Sequence, residues 1–444
     1  MSKALLSFWS IVAILFGVAV RAYEAPQAPQ TAATNLTGRW TVSADFFGSP
    51  LLFSLELKQD GEKLTGEFDG DKLEGTQKGE AVHFLAKDEH GGREEAKGTL
   101  RDDMLAGTLT FVNGDDPSRP ETHNFTAKRV PPRPQEAPQR REFVPTTFYR
   151  QFSAATAPVL TVNPGDMIHT TTVDAGGTDE KGVTRVLGGN PETGPFYVES
   201  TAPGDTLVVH ITQLKLNRDW AESDDYLVDR ATDRDLAVKM KDGGKSVRWH
   251  LDLERGLATP EKPGEHLTRY TVPVKPMLGC VGVAQNPAGA APGSGDSGRF
   301  GGNMDFNEIV DGATVYLPVN VPGALLYVGD GHAAQGDGEL NGNALETSMD
   351  VEFTVDLIRG KSTQGPRFEN DEYLMASGIG GSLQDALQMA TTELARWLER
   401  DYKLSPNESN VILGTSIRYE IAEVVDPQVH IVAKVSKAVL EPLR

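Results

Sequence analysis

The sequence contains a single cysteine, Cys280, so no disulfide can form within the chain and stability must come from packing. Basic clusters are missing as well. No lysine- and arginine-rich block stands out after residue 22, and the formal net charge of −20 argues against a partner gripped by its phosphate backbone. A small neutral molecule would be indifferent to that charge. No apolar run after residue 20 approaches the roughly 18 residues that a membrane-spanning helix needs. Nor is there a Gly-X-Ser-X-Gly elbow, a phosphate loop or a Gly-X-Gly-X-X-Gly run after a strand, so the sequence carries no signature for those chemistries.

What is present is a chain of 444 residues, 39 % of them hydrophobic, long enough for two or three domains with substantial cores. Residues 1–22 place one lysine before an apolar run and end in Arg21 and Ala22, the pattern of an export signal cut near Ala22. The expected location is therefore secreted or periplasmic, with no stable membrane insertion once the signal is removed. Residues 23–35, rich in Gln, Pro, Ala and Thr, have too little apolar bulk to pack and are expected to be a leader. From 36 to 129 short alternating segments such as GRWTVSADF and LLFSLELKQDGEKLTGEF are broken by Asp-Gly and Lys-Gly turns, which predicts a small antiparallel barrel or sandwich. Residues 130–142, VPPRPQEAPQRRE, are proline-rich and charged and predict an extended, solvated linker.

From 143 to 444 the texture is again mostly β, in runs such as TLVVHITQLKL and ATVYLPVNVPGALLYVG. One segment differs. Leu383, Ala386, Leu387, Ala390, Leu394, Trp397 and Leu398 recur at helical spacing, with Ser382 and Asp385 placed to cap the start, and this predicts an amphipathic helix packed on a sheet. The following NVILGTSIRYEIAEVV reads as β and completes an α+β tail.

The densest chemical signal is GDGHAAQGDGELNG, residues 329–342. It follows an apolar run, so Asp330 and His332, two apart, would emerge on one face if the strand continues, and Asp337 and Glu339 would repeat that geometry beyond a short loop. Carboxylates and an imidazole among glycines suit a borderline divalent metal such as zinc better than an oxygen-only calcium loop. The plainer alternative is a polar glycine-rich turn with solvated charges. Further acidic candidates are Asp305, after Gly301-Gly302, and Asp174, after a Thr-rich extended run and before Gly176-Gly177. Asp205, in a Pro-Gly-Asp turn signature, reads as a turn former. Cys280, between Gly279 and Gly282, has no visible base partner and reads as a small buried residue in a tight turn, not as a nucleophile.

Taken in order, the blocks GD…TVDAGG, NPETGPFYVESTAPGDTLVVHI, MLGCVGVA and GRFGGNMDFNEIVDGATVYLPVNVPGALLYVGDGHAAQGDGE resemble the acetamidase/formamidase family. The resemblance covers residues 143–443. It implies a jelly-roll-derived β domain that hydrolyses a small neutral amide of formamide or acetamide type to the acid and ammonia, with zinc as the expected ion, and it leaves a homo-oligomer open. By the same resemblance Asp174, Asp305, His332 and Glu339 fall on the family's polar site positions. The reading that follows assigns Asp174, Asp305, His332 and Asp330 to the metal and Glu339, with Asp337, to proton transfer. The residues 36–129 resemble the lipocalin-like β modules joined to secreted enzymes. A competing class is a non-catalytic ligand- or carbohydrate-binding protein on the same fold.

Overall fold

The computed structural model describes residues 35–240 and 244–443. The expected export signal, 1–22, and the leader up to 34 lie outside them. Eight strands, Gly38–Phe46, Ser49–Asp60, Lys63–Phe68, Asp71–Lys78, Ala81–Lys87, Arg93–Arg101, Met104–Val112 and Glu121–Arg129, each pair antiparallel with the next. The first also pairs with the last, from Trp40 opposite Arg129 to Ala44 opposite Phe125, so the meander closes into a barrel and the sandwich alternative falls. Period-two alternation sends Trp40, Val42, Ala44, Leu55, Leu57, Phe68, Phe84 and Phe125 inward, where they fill the interior with side chains. Closure leaves the barrel no open sheet edge.

The residues between barrel and body are mostly exposed yet tied down. The Pro132 carbonyl accepts a bond of 2.7 Å from Ser200 Oγ, and Arg133 Nη1 lies 2.9 Å from Asp356. Arg140–Glu142 is a short strand parallel to Met167–Thr171. The barrel itself touches the body through an ion pair between Arg39 and the fully buried Asp205. Asp205 therefore does more than form a turn, because it accepts from Ala202 N–H and Gly360 N–H while receiving the barrel's guanidinium.

The body consists of two sheets around one large apolar core that includes Phe196, Ile211, Leu278, Val281, Phe306 and Phe353. One sheet runs, in order of pairing, Arg418–Glu423, Val429–Ser436, Tyr373–Gly380, Arg367–Glu369, Thr314–Pro318, Thr206–Leu216, Met349–Ile358, Met167–Thr171 and Arg140–Glu142. In the other, Leu326–His332 is the hub. Met277–Val283 pairs along one edge of it. On the opposite edge Glu192–Val198 pairs as far as Gly329, and Glu346–Thr347 takes over from Gly331. The change of partner falls at Asp330.

The expected helix is Leu383–Tyr402, and Ser382 caps it by accepting from Asp385 N–H. Its buried face is Ala386, Ala390, Leu394, Trp397 and Leu398, whereas Leu383 and Leu387 are exposed. Gly378 lets it lie close to the sheet, since a Cβ there would sit 1.8 Å from the Ala386 carbonyl oxygen. The segment after it corrects the β expectation: Pro406–Ser416 is a second helix, and the strand begins only at Arg418. Ser405 and Glu408 form a reciprocal capping box and Pro406 occupies the first turn, which outweighs the β preference of Val411 and Ile412.

Candidate metal centre

The hub strand carries Asp330 and His332 to one place, as period two requires, and Glu346 lies directly opposite His332 in the register. His332 Nε2 is 3.2 Å from Glu346 Oε1, 3.5 Å from Asp330 Oδ1 and 4.0 Å from Asp305 Oδ1. Two sets of groups each have ligand atoms within 4.8 Å of one another, Asp305 with His332 and Glu339, and Asp330 with His332 and Glu346. All five side chains are buried. Three of them, Asp305 (φ 42°), Asp330 (φ 55°) and Glu339 (φ 48°), adopt left-handed backbone that disfavours a residue with a Cβ by about 1–3 kcal/mol each. Packing elsewhere must sustain that arrangement.

Gly279 makes the room. A Cβ there would stand 2.4 Å from Asp305 Oδ1 and 2.6 Å from Asp330 Oδ2. The tight turn expected at Gly279 and Gly282 is not formed. Both lie instead within the strand Met277–Val283, where Asp305 and Asp330 close on Gly279 and Phe152 and the Gly302 backbone close on Gly282. Gly329 does the same for Glu192, whose Oε2 would be 2.5 Å from its Cβ.

Hydrogen bonds fix the donor atoms. Gln335 Nε2 donates to the Asp305 carbonyl at 2.6 Å and the Ala422 carbonyl at 3.3 Å, so its Oε1 is left to accept from His332 Nδ1 at 2.9 Å. That bond keeps a proton on Nδ1 and aims Nε2 at the carboxylates, where its lone pair becomes available once a cation replaces the Nε2 proton. Asn190 Nδ2 donates to Asp330 Oδ2 at 3.1 Å, and Asn303 Nδ2 to Asp305 Oδ2 at 2.8 Å and Asp426 Oδ2 at 2.7 Å. The Ala344 N–H holds both Glu339 Oε1 (2.9 Å) and Glu346 Oε1 (3.0 Å). What remains without a hydrogen-bond partner is Asp305 Oδ1, Asp330 Oδ1, Glu346 Oε2 and His332 Nε2. Buried polar atoms are rarely left so, and these converge. An imidazole nitrogen amid carboxylate oxygens is a donor set that fits a divalent ion.

The electrostatics point the same way. Burial, then the Glu339, Asp330 and Asp426 carboxylates, push Asp305 well above the usual range. Burial lifts Glu339 well up and Glu346 to about 7, in both cases against the pull of His332. It also raises Glu423 to about 8, helped by Asp426, and Asp426 to about 6 against its bond from Asn303. Burial opposes a charge on His332, yet Glu346 and Asp330 overcome it and lift the imidazole well above its usual value. A concentration of buried acid this dense calls for positive charge that the side chains do not supply.

Of the residues expected from sequence, Asp305, Asp330, His332 and Glu339 come together. Two stand outside both ligand sets. Asp174 is paired with the buried Arg218, whose Nη2 donates to it at 2.6 Å, yet it lines the same cavity as Glu346 and helps to raise that carboxyl. Asp337 is exposed and accepts from Asn307 Nδ2 at 2.8 Å. Alternation does not carry across Gly336 and Gly338, because the segment is a turn, with Gly338 at φ 82°, and only Glu339 faces inward. Cys280 is fully buried as expected, and burial together with Glu192 keeps its thiol protonated by pushing its pKa well up. Glu346 is invisible to sequence reasoning, since it sits alone in NALETS with no repeat or glycine pattern to mark it.

Two cavities flank the cluster. One of about 800 Å³ meets it at Asn190 and Glu346 and is walled by Lys181, Trp220, Glu222 and Arg248. The other, about 460 Å³, meets it at Glu339 and Gln335 and is walled by Trp249, Tyr270 and Leu345.

Residues 256–435 match the model of the Acetamidase/Formamidase family. An acetamidase of Mycolicibacterium smegmatis is 44 % identical over 61 residues, a stretch that is 14 % of this chain and spans only 15 % of that relative's length. Among solved structures, acetamidase from Yersinia enterocolitica superposes with a TM-score of 0.60 at 27 % identity, over 70 % of this chain and 94 % of that one. Acetamidase from Bacillus halodurans gives 0.57 at 25 %, over 68 % and 99 %. The body that carries this cluster is thus similar to acetamidases in fold and, over its C-terminal part, in sequence to the acetamidase/formamidase family.

Proposed function

We propose that this protein hydrolyses a linear amide to a carboxylic acid and ammonia with the help of a divalent ion, for which zinc suits the donors best. The observation that carries the reading is the convergence of unpartnered atoms from Asp305, Asp330, His332 and Glu346 in a buried pocket of a body similar to acetamidases. In the reaction water's oxygen joins the carbonyl carbon, the carbon–nitrogen bond breaks, and a proton taken from water goes to the departing nitrogen. Asp305, Asp330, His332 and Glu339 would hold the ion, which when bound supplies Lewis-acid polarisation of the carbonyl and lowers the pKa of water toward about 7.

The chain's own residues do the rest. Gln335 keeps the His332 lone pair aimed at the centre, and Asn190 holds Asp330. The sequence points to Glu339 and Asp337 for the proton, but Glu346 is the better candidate. It floors the larger cavity, the Ala344 N–H orients its Oε1, and burial lifts it to about 7, where a carboxyl can both take and give a proton. Glu339 then joins Asp305 and His332, with which its ligand atoms lie within 4.8 Å.

Elemental analysis of the purified protein, alongside ammonia release from a panel of small amides, tests this. About one divalent transition ion per chain and release from at least one amide are expected. A metal-free preparation with full activity would remove the metal from the mechanism, and no release from any amide by the loaded protein would favour the binding-protein alternative. Export is part of the proposal, and the mature chain is expected to begin near Tyr23 by N-terminal sequencing. A secreted or membrane-retained form starting at Met1 would refute the cut.

A further inference from the structure

The cavity of about 800 Å³ that meets the cluster at Asn190 and Glu346 is out of proportion to formamide or acetamide. Volumes of about 300–1,000 Å³ hold molecules of drug size. Its walls also have a definite character. The one aromatic surface, Trp220, is clamped between two guanidiniums, with Arg218 and Arg248 each 3.4 Å from the ring centroid. Neither face is left for an apolar body to stack on. Around it the wall offers charges of both signs, Lys181 and Arg248 against Glu222 and Asp224. Arg248 Nη1 and Glu222 Oε1 are 2.9 Å apart at roughly half exposure, so their pairing is weak enough to be exchanged for a ligand.

An apolar substrate body would strip water from these groups and return nothing, whereas a polar body replaces the lost bonds. The smaller cavity on the Glu339 side is the opposite case, with Trp249, Tyr270 and Leu345 in its wall. We infer that the larger cavity selects a primary amide carried on a charged, zwitterionic body of amino-acid size. The carboxamide would reach Glu346 and Asn190, and the body's carboxylate and ammonium would lie against Arg248 and Lys181 and against Glu222 and Asp224. The inference rests on the amidase reading.

The test compares kcat/KM for asparagine and glutamine with acetamide, butyramide and benzamide on the purified metal-loaded protein. Calorimetric binding of the product acids aspartate and butyrate runs alongside. The zwitterionic amides are expected to exceed the apolar ones by about 100-fold or more, and aspartate to bind more tightly than butyrate. Arg248→Ala should lower the ratio of zwitterionic to apolar kcat/KM by about 10-fold, and Tyr270→Ala should leave that ratio alone. Arg248→Lys, which keeps the charge, should restore part of it even if Arg248→Ala is poorly folded. Acetamide or butyramide as the best substrate, or a ratio that moves in Tyr270→Ala and not in Arg248→Ala, overturns the inference and leaves the amidase reading standing. Release from none of the amides removes both.

Discussion

The barrel and the body are both built mostly from antiparallel strands, yet they differ in how much charge they bury: the barrel half-buries single carboxylates such as Glu94, the body a whole cluster. In the barrel the inward positions are Trp40, Leu55, Leu57, Phe68, Phe84 and Phe125, and lysines and glutamates such as Glu56, Lys58 and Lys97 face water. In the body the hub strand turns Asp330 and His332 into the interior, where Asp305, Glu339 and Glu346 join them. Regular alternation is enough to close a barrel. Chemistry begins where alternation delivers acids to a place with too little positive charge to answer them.

That contrast is broken most severely at His332. His332→Ala should empty the site and abolish ammonia release, lowering metal affinity by more than the roughly 10–100-fold that loss of a supporting residue brings. Metal analysis and turnover on the same preparation check it. Retention of the ion would mean that the carboxylates suffice without the imidazole.

The two glutamates come next, and they sharpen the comparison inside the body. Glu346→Gln should lower kcat by about 10²- to 10⁴-fold with metal retained, the usual worth of a proton-transfer group. Glu339→Gln should lose metal and activity together. The reverse pattern would return the proton to Glu339.

A smaller effect concerns pH. In the ion-free protein Glu346, Asp426 and Glu423 have folded pKa values near 7, 6 and 8, above those of the unfolded chain, and His332 is raised as well. The folded state therefore holds more protons than the unfolded one. Its stability from these groups is fullest below their unfolded values, about pH 4, and is lost as pH rises through 6 to 8. Metal-stripped protein should accordingly melt at a lower temperature at pH 8 than at pH 6, and added zinc should raise the melting temperature more at pH 8. A stripped protein that grows more stable over that interval would contradict the assigned surplus of buried acid.

Gly279→Ala is expected to destabilise by roughly 1–3 kcal/mol through overpacking against Asp305 and Asp330, with metal content falling in step. Thermal unfolding with and without zinc reads both. In the barrel, by contrast, Arg39→Ala should loosen the contact with Asp205 and change turnover by less than about twofold, because the barrel lends no residue to the cluster. A large loss of activity there would give the barrel a catalytic role.

Much of this was legible in the sequence, for reasons that can be named. The barrel announced itself through turn chemistry and alternation, and the long helix through its spacing from Ala386 to Leu398. Asp330 and His332 were readable because both lie on one continuous strand. Asp305 and Glu339 were marked only by their glycine-rich surroundings and by family resemblance, since neither lies on a strand. Asp337 misled because a period of two does not survive Gly336 and Gly338. The pairing of Asp174 was not legible, because its partner Arg218 comes from a distant strand end. Glu346 could not be found locally: what places it is a register between two strands, and nothing in ALETS encodes that pairing.

The links between the cluster and the C-terminal hairpin set an order of assembly. Gln335 reaches the Ala422 carbonyl, Asn303 reaches Asp426, and the Gly338 N–H bonds to the Ile421 and Ala422 carbonyls. During synthesis the barrel can close while most of the body is still unmade, since all its pairings lie within Gly38–Arg129. The cluster cannot take its final form until Ala422 and Asp426 have been delivered, long after His332. Metal capture would then be one of the last events in the maturation of this chain, and any stalled or C-terminally clipped product would carry a finished barrel beside an open, acid-lined gap.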